Sequence, residues 1–185
     1  MGTQGLADRC APSYRMRVGT EVEIAFLVQA MLKGWAVVVT DYEGLGTPGT
    51  HTCAVGRSEG RALLDAARAA QTLLGRPNTP VGAFGYSQGG QAAAFAAELQ
   101  PSYAPDVRLV RVAEGGVPAD MNEVAEFNDG GLGSGLVVGA AVGYATAYPE
   151  LPLPLNARGQ EVTRQVADGA WRRWRCSRRS PGSTA

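Results

Sequence analysis

Short, mostly apolar runs separate longer amphipathic segments along the first part of the chain. Each run is bounded by glycine, proline or aspartate, which is typical of strands covered on both faces of a parallel sheet. Such runs occupy residues 35–40, 80–86 and 108–113. A helix-length segment lies between consecutive runs, and this alternation predicts right-handed crossovers and a doubly wound α/β sheet. Functional loops of such a fold follow the carboxyl ends of the strands, where Asp41, Ser87 and Glu114 lie.

Capping signals predict where the helices begin and end. Thr20 and Glu23 have the spacing of a capping box, so a helix is expected to begin there and run to residue 32. Ser58 is expected to cap a second helix over residues 59–74. A third helix is expected in the alanine-rich segment that ends at Pro101.

The pattern changes after Pro118, where alanine, glycine and valine recur at helical spacing. Residues 121–127 and 132–148 are predicted to form flexible apolar helices, and the prolines from Pro149 onward are expected to break the second. No further strand is predicted in this part of the chain.

Composition adds a contrast at the carboxyl end. The 185 residues are 45% apolar, which indicates one globular domain, and 17 basic against 17 acidic residues argue against a nucleic-acid partner. Residues 157–185 hold seven arginines against two acidic residues, whereas residues 1–156 carry 10 basic and 15 acidic groups. Such a tail could contact anionic membranes or nucleic acid, but an unselected sequence is the interpretation that we favour.

Neither a membrane segment nor a metal site is predicted. No run approaches the ~18 to 20 apolar residues of a membrane span, and the first residues lack the basic start and apolar run of a signal peptide. Cys10, Cys53 and Cys176 are odd in number and irregular in spacing, which fits neither a metal site nor a full disulfide framework. A Cys10–Cys53 bridge would fit a secreted protein, but unpaired buried thiols are the commoner outcome. No cofactor is predicted.

The segment from Val81 to Gly90 contains the candidate catalytic residues. It predicts a strand that turns through Gly-x-Ser-x-Gly into a helix, which presents Ser87 as a nucleophile for acyl transfer. Gly85 and Gly89 are expected because side chains there would collide with the neighbouring strand and helix. The Gln88 backbone N–H, at the positive end of that helix, can face a developing oxyanion. The alternative is a glycine turn whose serine merely caps a helix.

Three motifs, taken in order, carry a resemblance to a known family. They are Gly2-Thr3-Gln4-Gly5, then Thr40-Asp41-Tyr42-Glu43-Gly44-Leu45-Gly46 with the loop Thr47-Pro48-Gly49-Thr50-His51, and Gly85-Tyr86-Ser87-Gln88-Gly89-Gly90-Gln91. Over residues 2–156 the chain resembles the secretory lipases of actinobacteria and fungi, the family of Candida lipase A. The three motifs together are far more specific than any one of them.

The resemblance implies an extracellular α/β-hydrolase that cleaves fatty-acid esters such as triacylglycerols, without a cofactor or metal. Ser87 would be the nucleophile, and Asp41 would supply a second oxyanion contact beside the Gln88 amide. The apolar helices after Pro118 would begin a helical cap that shields the acyl site, and a lipid–water interface is compatible with this activity. Water exclusion by such a cap would strengthen the oxyanion hydrogen bonds. The alternative is that these are core helices of an ordinary domain.

These expectations divide the chain into three parts. The parts are the amino-terminal part of an α/β-hydrolase core (residues 1–117), the start of a helical cap (118–156) and a divergent arginine-rich tail (157–185). The sheet would therefore be a partial doubly wound sheet.

The departures from the family matter as much as the likeness. Family members start upstream of Met1 and continue beyond residue 185, to the strands that bear the catalytic acid and histidine. A hydrolase of this type takes both from downstream of the serine, and no histidine follows Ser87. The chain is therefore expected to be incomplete and to have little esterase activity by itself. A shifted reading frame or an abrupt gene end would explain the arginine-rich ending from Ala157 onward.

Three residues are weak substitutes for the missing groups. His51 is the only histidine, but it precedes Ser87, and we expect a loop residue that hydrogen-bonds locally. Asp65 and Glu114 are candidate acids by position alone. Asp65 is expected to be a solvated charge on a helix face, and Glu114, after a strand end, is the better candidate.

Two other functions fit parts of the pattern. A cutinase-like esterase also uses a Gly-Tyr-Ser-Gln-Gly turn, but the cap-like helices and the lack of a histidine near the carboxyl end disfavour it. A non-catalytic product of a truncated gene would instead expose a sheet edge and half of a cap.

Overall fold

The computed structural model describes residues 1–129, 131, 133–150, 155–157 and 159–161, and these form six α-helices and two strands. The helices are α1 (Pro12–Arg17), α2 (Ile24–Leu32), α3 (Gly56–Leu73), α4 (Gln88–Tyr103), α5 (Met121–Asn128) and α6 (Ser134–Ala147). The strands are β1 (Val81–Tyr86) and β2 (Leu109–Gly115). Most of the predicted tail, with Cys176, lies outside the described residues.

The two strands and α4 form a β–α–β unit. β1 and β2 are parallel, with Gly85 paired to Glu114 and Tyr86 to Gly115 at their carboxyl ends. α4 packs against both strands, and a Cβ atom on Gly90 would lie only 2.7 Å from the Gly115 carbonyl oxygen. The absence of a side chain at Gly90 therefore lets this helix approach the sheet closely.

α3 packs against α4. The contact is close at Gly60, where a Cβ atom would lie 2.8 Å from the Phe95 carbonyl carbon and 2.9 Å from the Ala96 nitrogen. Apolar burial around this contact supplies the main stabilising contribution. Its fully or nearly buried members are Leu64, Ala67, Ala96, Leu99, Ala104 and Val107.

The prediction of a strand at residues 35–40 is wrong for the part of the chain that the structure describes. The sheet there has two strands, and the valine-rich run has no regular secondary structure and no place in the sheet. Trp35 is 61% exposed and Val38 is 47% exposed, so the run lacks the cover on both faces that its composition predicts. The sheet itself is covered by α4 on one face only, since Phe84 and Tyr86 on the other face are also exposed.

Three predicted helix boundaries are also wrong, two of them because the capping side chain binds elsewhere. The Glu23 carboxylate accepts from the Gly2 N–H (2.9 Å), and α2 begins only at residue 24 without a side-chain cap. The Ser58 hydroxyl donates to Glu43 Oε2 (2.6 Å), and α3 begins before it at residue 56. α4 continues through Pro101 to Tyr103 instead of ending at the proline.

The helices predicted after residue 118 are present as α5 and α6, which pack against each other. α6 contacts the core at Cys53, where a Cβ atom on Gly143 would lie 2.1 Å from the Cys53 carbonyl oxygen. Cys53 is a buried free thiol, so it forms no bridge with Cys10. Within the described ranges, no helix is both long enough and apolar enough to span a membrane.

Candidate active site

Ser87 occupies a sharp turn between β1 and α4. Its φ is 56° and its ψ is −121°, a positive-φ conformation that is strained for a residue with a side chain. The Ser87 N–H donates to the Gly115 carbonyl oxygen (2.8 Å), which ties the turn to the end of β2. Although Ser87 stands at the N-cap position, its side chain makes no capping hydrogen bond to α4. The hydroxyl of this half-buried residue is therefore not used as a helix cap.

Gly85 and Gly89, on either side of the Ser87 turn, are required because other backbone segments approach them closely. A Cβ atom on Gly85 would lie 2.2 Å from the Gly89 carbonyl carbon, and one on Gly89 would lie 2.8 Å from the Met1 nitrogen. Atoms at these distances overlap, so the turn cannot accept a side chain at either position without moving the backbone. The collision predicted from the sequence matches the contact of Gly85 with the start of α4, whereas Gly89 is constrained by Met1 and not by the strand or the helix.

Gln88 is the first residue of α4. The first N–H groups of a helix have no acceptor within it and carry partial positive charge, so they form an anion-binding end. The Gln88 backbone N–H belongs to this set and directly follows Ser87. Its side chain, in contrast, is almost fully buried.

Asp41 lies in the loop after the valine-rich run. Its Oδ1 accepts from the Ser13 N–H (2.7 Å) and its Oδ2 accepts from the Ser13 hydroxyl. Both carboxylate oxygens are therefore used as acceptors at the start of α1. A negatively charged carboxylate would also repel an oxyanion, so an oxyanion contact from residue 41 has to come from its backbone N–H.

The amino-terminal residues connect this loop to the elbow. A Cβ atom on Gly2 would lie 3.9 Å from the Ser87 Cβ, and Met1 lies against Gly89. The Tyr42 hydroxyl donates to the Met1 carbonyl oxygen (3.3 Å). The segment that begins the first family motif thus lies between the loop after Asp41 and the serine turn.

His51 is buried, and both of its ring nitrogens are engaged. Its Nδ1 lies 2.9 Å from the Glu43 carbonyl oxygen, which fixes Nδ1 as the donor, and its Nε2 lies 3.2 Å from Gln88 Nε2. Burial lowers the pKa of His51 below its usual value despite the hydrogen bond to Glu43. His51 is therefore a neutral acceptor behind the elbow, and neither nitrogen is free to take a proton from Ser87.

Glu59 is the residue at this site that the sequence did not single out. It is fully buried on α3, and its Oε1 accepts from Gln88 Nε2 at 2.7 Å. Burial raises its pKa to about 7, although the hydrogen bond from Gln88 opposes the shift. A helical projection would have indicated its burial, because Glu59 shares a face with Gly56 and Leu63.

The two candidate acids are not brought to the serine. Asp65 on α3 accepts from the Tyr103 hydroxyl (2.8 Å) and pairs with Arg68 (3.3 Å) at the surface. This matches the expected role of a solvated charge. Glu114 lies within β2 instead of after it, opposite Gly85, and is exposed.

Comparisons with known proteins match most of the chain to one family. The family model described as "Secretory lipase" matches residues 11–171. The chain belongs to the secretory lipase family. The match runs past residue 156, where we place the start of the divergent tail; that boundary stays a prediction.

Individual relatives are lipases of yeasts and other fungi. Lipase 1 of Candida albicans is 38% identical over 172 residues, which cover 86% of this chain and 35% of that protein. A secreted triacylglycerol lipase of Malassezia furfur is 38% identical, covering 76% of this chain and 38% of that protein. The chain thus spans little more than a third of the length of these curated relatives.

A solved structure supports the fold. Candida antarctica lipase A in its closed state matches with a TM-score of 0.73 at 29% identity, over 88% of this chain and 40% of that one. The fold is therefore a partial α/β-hydrolase, of which the β1–α4–β2 unit is the part that carries Ser87.

Proposed function

We propose that this chain supplies the nucleophile and the oxyanion-binding site of an enzyme that hydrolyses carboxylic esters of lipids, such as triacylglycerols. The Ser87 Oγ attacks the ester carbonyl carbon, and the carbonyl oxygen becomes an oxyanion. The alcohol then leaves with a proton, and water hydrolyses the acyl-enzyme to release the fatty acid.

The observation that carries the proposal is the Ser87 turn. A serine held at positive φ, with a hydroxyl that does not cap the helix it precedes, is the arrangement of a nucleophile elbow. Membership of the secretory lipase family supports the same chemistry. The names of the relatives support lipid esters as substrates and an extracellular location.

The oxyanion would be held by two backbone N–H groups. The Gln88 N–H stands at the positive end of α4, and the Asp41 N–H would be the second donor because its carboxylate is engaged by Ser13. The apolar helices α5 and α6 would begin the cap over the acyl chain. Residues 1–117 would be the hydrolase core beneath it.

The general base is proposed to come from outside the described residues. Both nitrogens of His51, the only histidine, are committed to other groups. Hydrolases stripped of a triad member retain only ~10³ to 10⁴-fold acceleration over water. We therefore expect the 185-residue chain to hydrolyse p-nitrophenyl butyrate no faster than its Ser87→Ala variant.

Chemical rescue tests the role of Ser87 without the missing base. A fluorophosphonate probe is added to the chain with imidazole in solution, and the labelled serine is identified by mass spectrometry. We expect label at Ser87 that increases with imidazole concentration and is absent in Ser87→Ala. Ser58, whose hydroxyl donates to Glu43, is the internal control and should stay unlabelled. Equal labelling of Ser58 and Ser87, or no response to imidazole, would contradict the proposal.

A further inference from the structure

A buried hydrogen-bond network lies directly beneath the serine turn. The Glu59 carboxylate is fully buried, and its Oε1 accepts from Gln88 Nε2 (2.7 Å). With the Gln91 amide oriented so that its nitrogen faces these oxygens, Gln91 donates to Glu59 Oε2 (3.2 Å) and to the Ala54 carbonyl oxygen (3.1 Å). One carboxylate thus receives the side chains of both glutamines on the first turn of α4.

The protons in this network can be assigned without conflict. The Gln88 side-chain amide has two hydrogens, one for Glu59 and one for His51 Nε2 at 3.2 Å. His51 Nδ1 then donates to the Glu43 carbonyl oxygen. This assignment requires a neutral imidazole and an ionised Glu59. A protonated Glu59 would present a hydrogen to one of its two amide donors and lose that bond.

Burying the Glu59 carboxylate costs free energy, and the position of Glu59 beside the residue that follows Ser87 offers a reason for it. A carboxylate that makes no ion-pair hydrogen bond is expensive to bury, and apolar packing is often at least as stable as a buried charge. Here the charge contacts the residue that follows the nucleophile. The rotation of α4 about its axis at the first turn is held by Glu59 from α3, and this rotation sets the direction of the Gln88 backbone N–H.

We propose that Glu59 is a positioning residue, which holds Gln88 and Gln91 so that the Gln88 backbone N–H faces the oxyanion formed at Ser87. The inference rests on the proposed function for its catalytic consequence. Its structural part, control of the Gln88 amide by Glu59, stands separately and can be measured without turnover.

The groups around Glu59 determine how the network responds to pH. Burial raises the pKa of Tyr42, Tyr144 and Cys53 and lowers that of His51, so these groups stay neutral near pH 7. The Met1 amino group also faces the site, with its pKa lowered by burial. Glu59, with a pKa of about 7, and the Met1 amino group are then the groups whose ionisation changes near neutrality, and of these two only Glu59 accepts a hydrogen bond from Gln88.

The first experiment follows the Gln88 amides by nuclear magnetic resonance in the 185-residue chain. The backbone and side-chain N–H signals of Gln88 are expected to shift with a midpoint near pH 7. Glu59→Gln should abolish this titration, and Glu98→Gln, the same change at an exposed position of α4, should leave it intact. A Gln88 titration that Glu59→Gln leaves unchanged, at whatever pH it falls, overturns the inference, and Gln88→Ala in the second experiment tests it if Glu59→Gln fails to fold.

The second experiment measures the rate of fluorophosphonate labelling at Ser87 with imidazole present. Loss of one oxyanion donor costs ~10²-fold or more, so misdirection of the Gln88 N–H in Glu59→Gln should slow the labelling step by about tenfold or more. The apparent affinity for the probe should not change, and Glu98→Gln should label at the unmodified rate. Gln88→Ala keeps the backbone N–H but removes the link, so its effect should not add to that of Glu59→Gln.

The outcomes separate the two proposals. Ser87-dependent labelling that Glu59→Gln leaves unchanged would refute the positioning role and leave the proposed function in place. Absence of Ser87-dependent labelling, with a Gln88 titration that Glu59→Gln removes, would refute the proposed function and retain the link between Glu59 and the Gln88 amide. Additive effects of Glu59→Gln and Gln88→Ala would show that Glu59 acts by another route.

Discussion

At the scale of single residues, the serine turn depends on Gly85, for which the sequence predicted a collision with the neighbouring helix. Gly85→Ala would put a Cβ atom 2.2 Å from the Gly89 carbonyl carbon. We expect it to lower the free energy of unfolding by ~2 kcal/mol or more, since relief of the overlap must shift the backbone. Gly82→Ala on the same strand meets no atom within 4 Å and is the matched control. Equal urea midpoints for both variants would contradict this account of the elbow.

The protonation state of His51 is determined by the groups that surround its ring. With Nδ1 facing the Glu43 carbonyl and Nε2 facing Gln88, the imidazole should hold a single proton on Nδ1. Because burial lowers its pKa below 6.5, the stability that neutral His51 provides is present at neutral pH and is lost as pH falls through the folded-state pKa. Nitrogen-15 spectra at pH 6.5 should show protonated Nδ1 and bare Nε2. A ring that is half doubly protonated at that pH would refute this assignment.

The residues that the sequence predicted lie close together along the chain, whereas the contacts that it missed join positions far apart in the sequence. Gly85, Ser87 and Gly89 form one local turn, so five consecutive residues suffice to predict it. Glu59 meets Gln88 across 29 positions, and only the packing of α3 on α4 brings them together. Asp41 was identified through the family resemblance, but its pairing with Ser13, 28 residues away, is visible only in the structure.

At the scale of elements, the sequence predicted which helices exist better than where they begin. Apolar spacing extends over many residues and survives tertiary context, whereas a cap is one hydrogen bond that a distant donor can replace. Glu23 binds Gly2 and Ser58 binds Glu43, so neither caps its helix. The valine-rich run 35–40 had the composition of a central strand, but pairing requires neighbours, and none lies beside it among the described residues.

The packing of α3 on α4 buries Glu59, and this should produce a measurable dependence of stability on pH. Its folded-state pKa of about 7 lies above the usual glutamate value of 4.5, so the folded state keeps a proton that the unfolded state loses between these values. The free energy of unfolding should therefore fall as pH rises through this window, by on the order of 3 kcal/mol at ~1.4 kcal/mol per unit.

Urea unfolding at a series of pH values measures this effect by difference. The fall between pH 4.5 and about 7 should be present in the unmodified chain and in Glu98→Gln, and absent in Glu59→Gln. Parallel curves for the unmodified chain and Glu59→Gln would mean that Glu59 does not hold its proton through this range.

At the scale of the whole molecule, a broad apolar surface is uncovered. α2 exposes Phe26 (62%), Met31 (61%) and Leu32 (81%), and Trp35 continues this surface. Contiguous apolar area of this kind is typical of interfaces, so the 185-residue chain alone should bind 8-anilinonaphthalene-1-sulfonate and self-associate. Replacing Phe26 and Leu32 with glutamine should weaken both without loss of helical dichroism. Leu27→Gln, at a 6% exposed position of α2, should destabilise the fold. A monomeric chain that does not bind the dye would contradict this interpretation.

The uncovered apolar surface and a general base that we propose lies outside the described residues have one explanation, which a single experiment can test. The family match ends at residue 171, and the chain spans little more than a third of Candida albicans Lipase 1. If the remaining part of such a lipase supplies both the cover and the base, a chimera of residues 1–171 continued by the aligned carboxyl-terminal part of Lipase 1 should hydrolyse tributyrin and bind less dye. Ser87→Ala in the chimera should abolish hydrolysis and leave dye binding low, because it removes only the proposed nucleophile. A chimera that folds, binds little dye and still hydrolyses tributyrin after Ser87→Ala would show that the nucleophile is not Ser87. One that folds with the dye excluded but never hydrolyses tributyrin would show that cover alone does not complete the site.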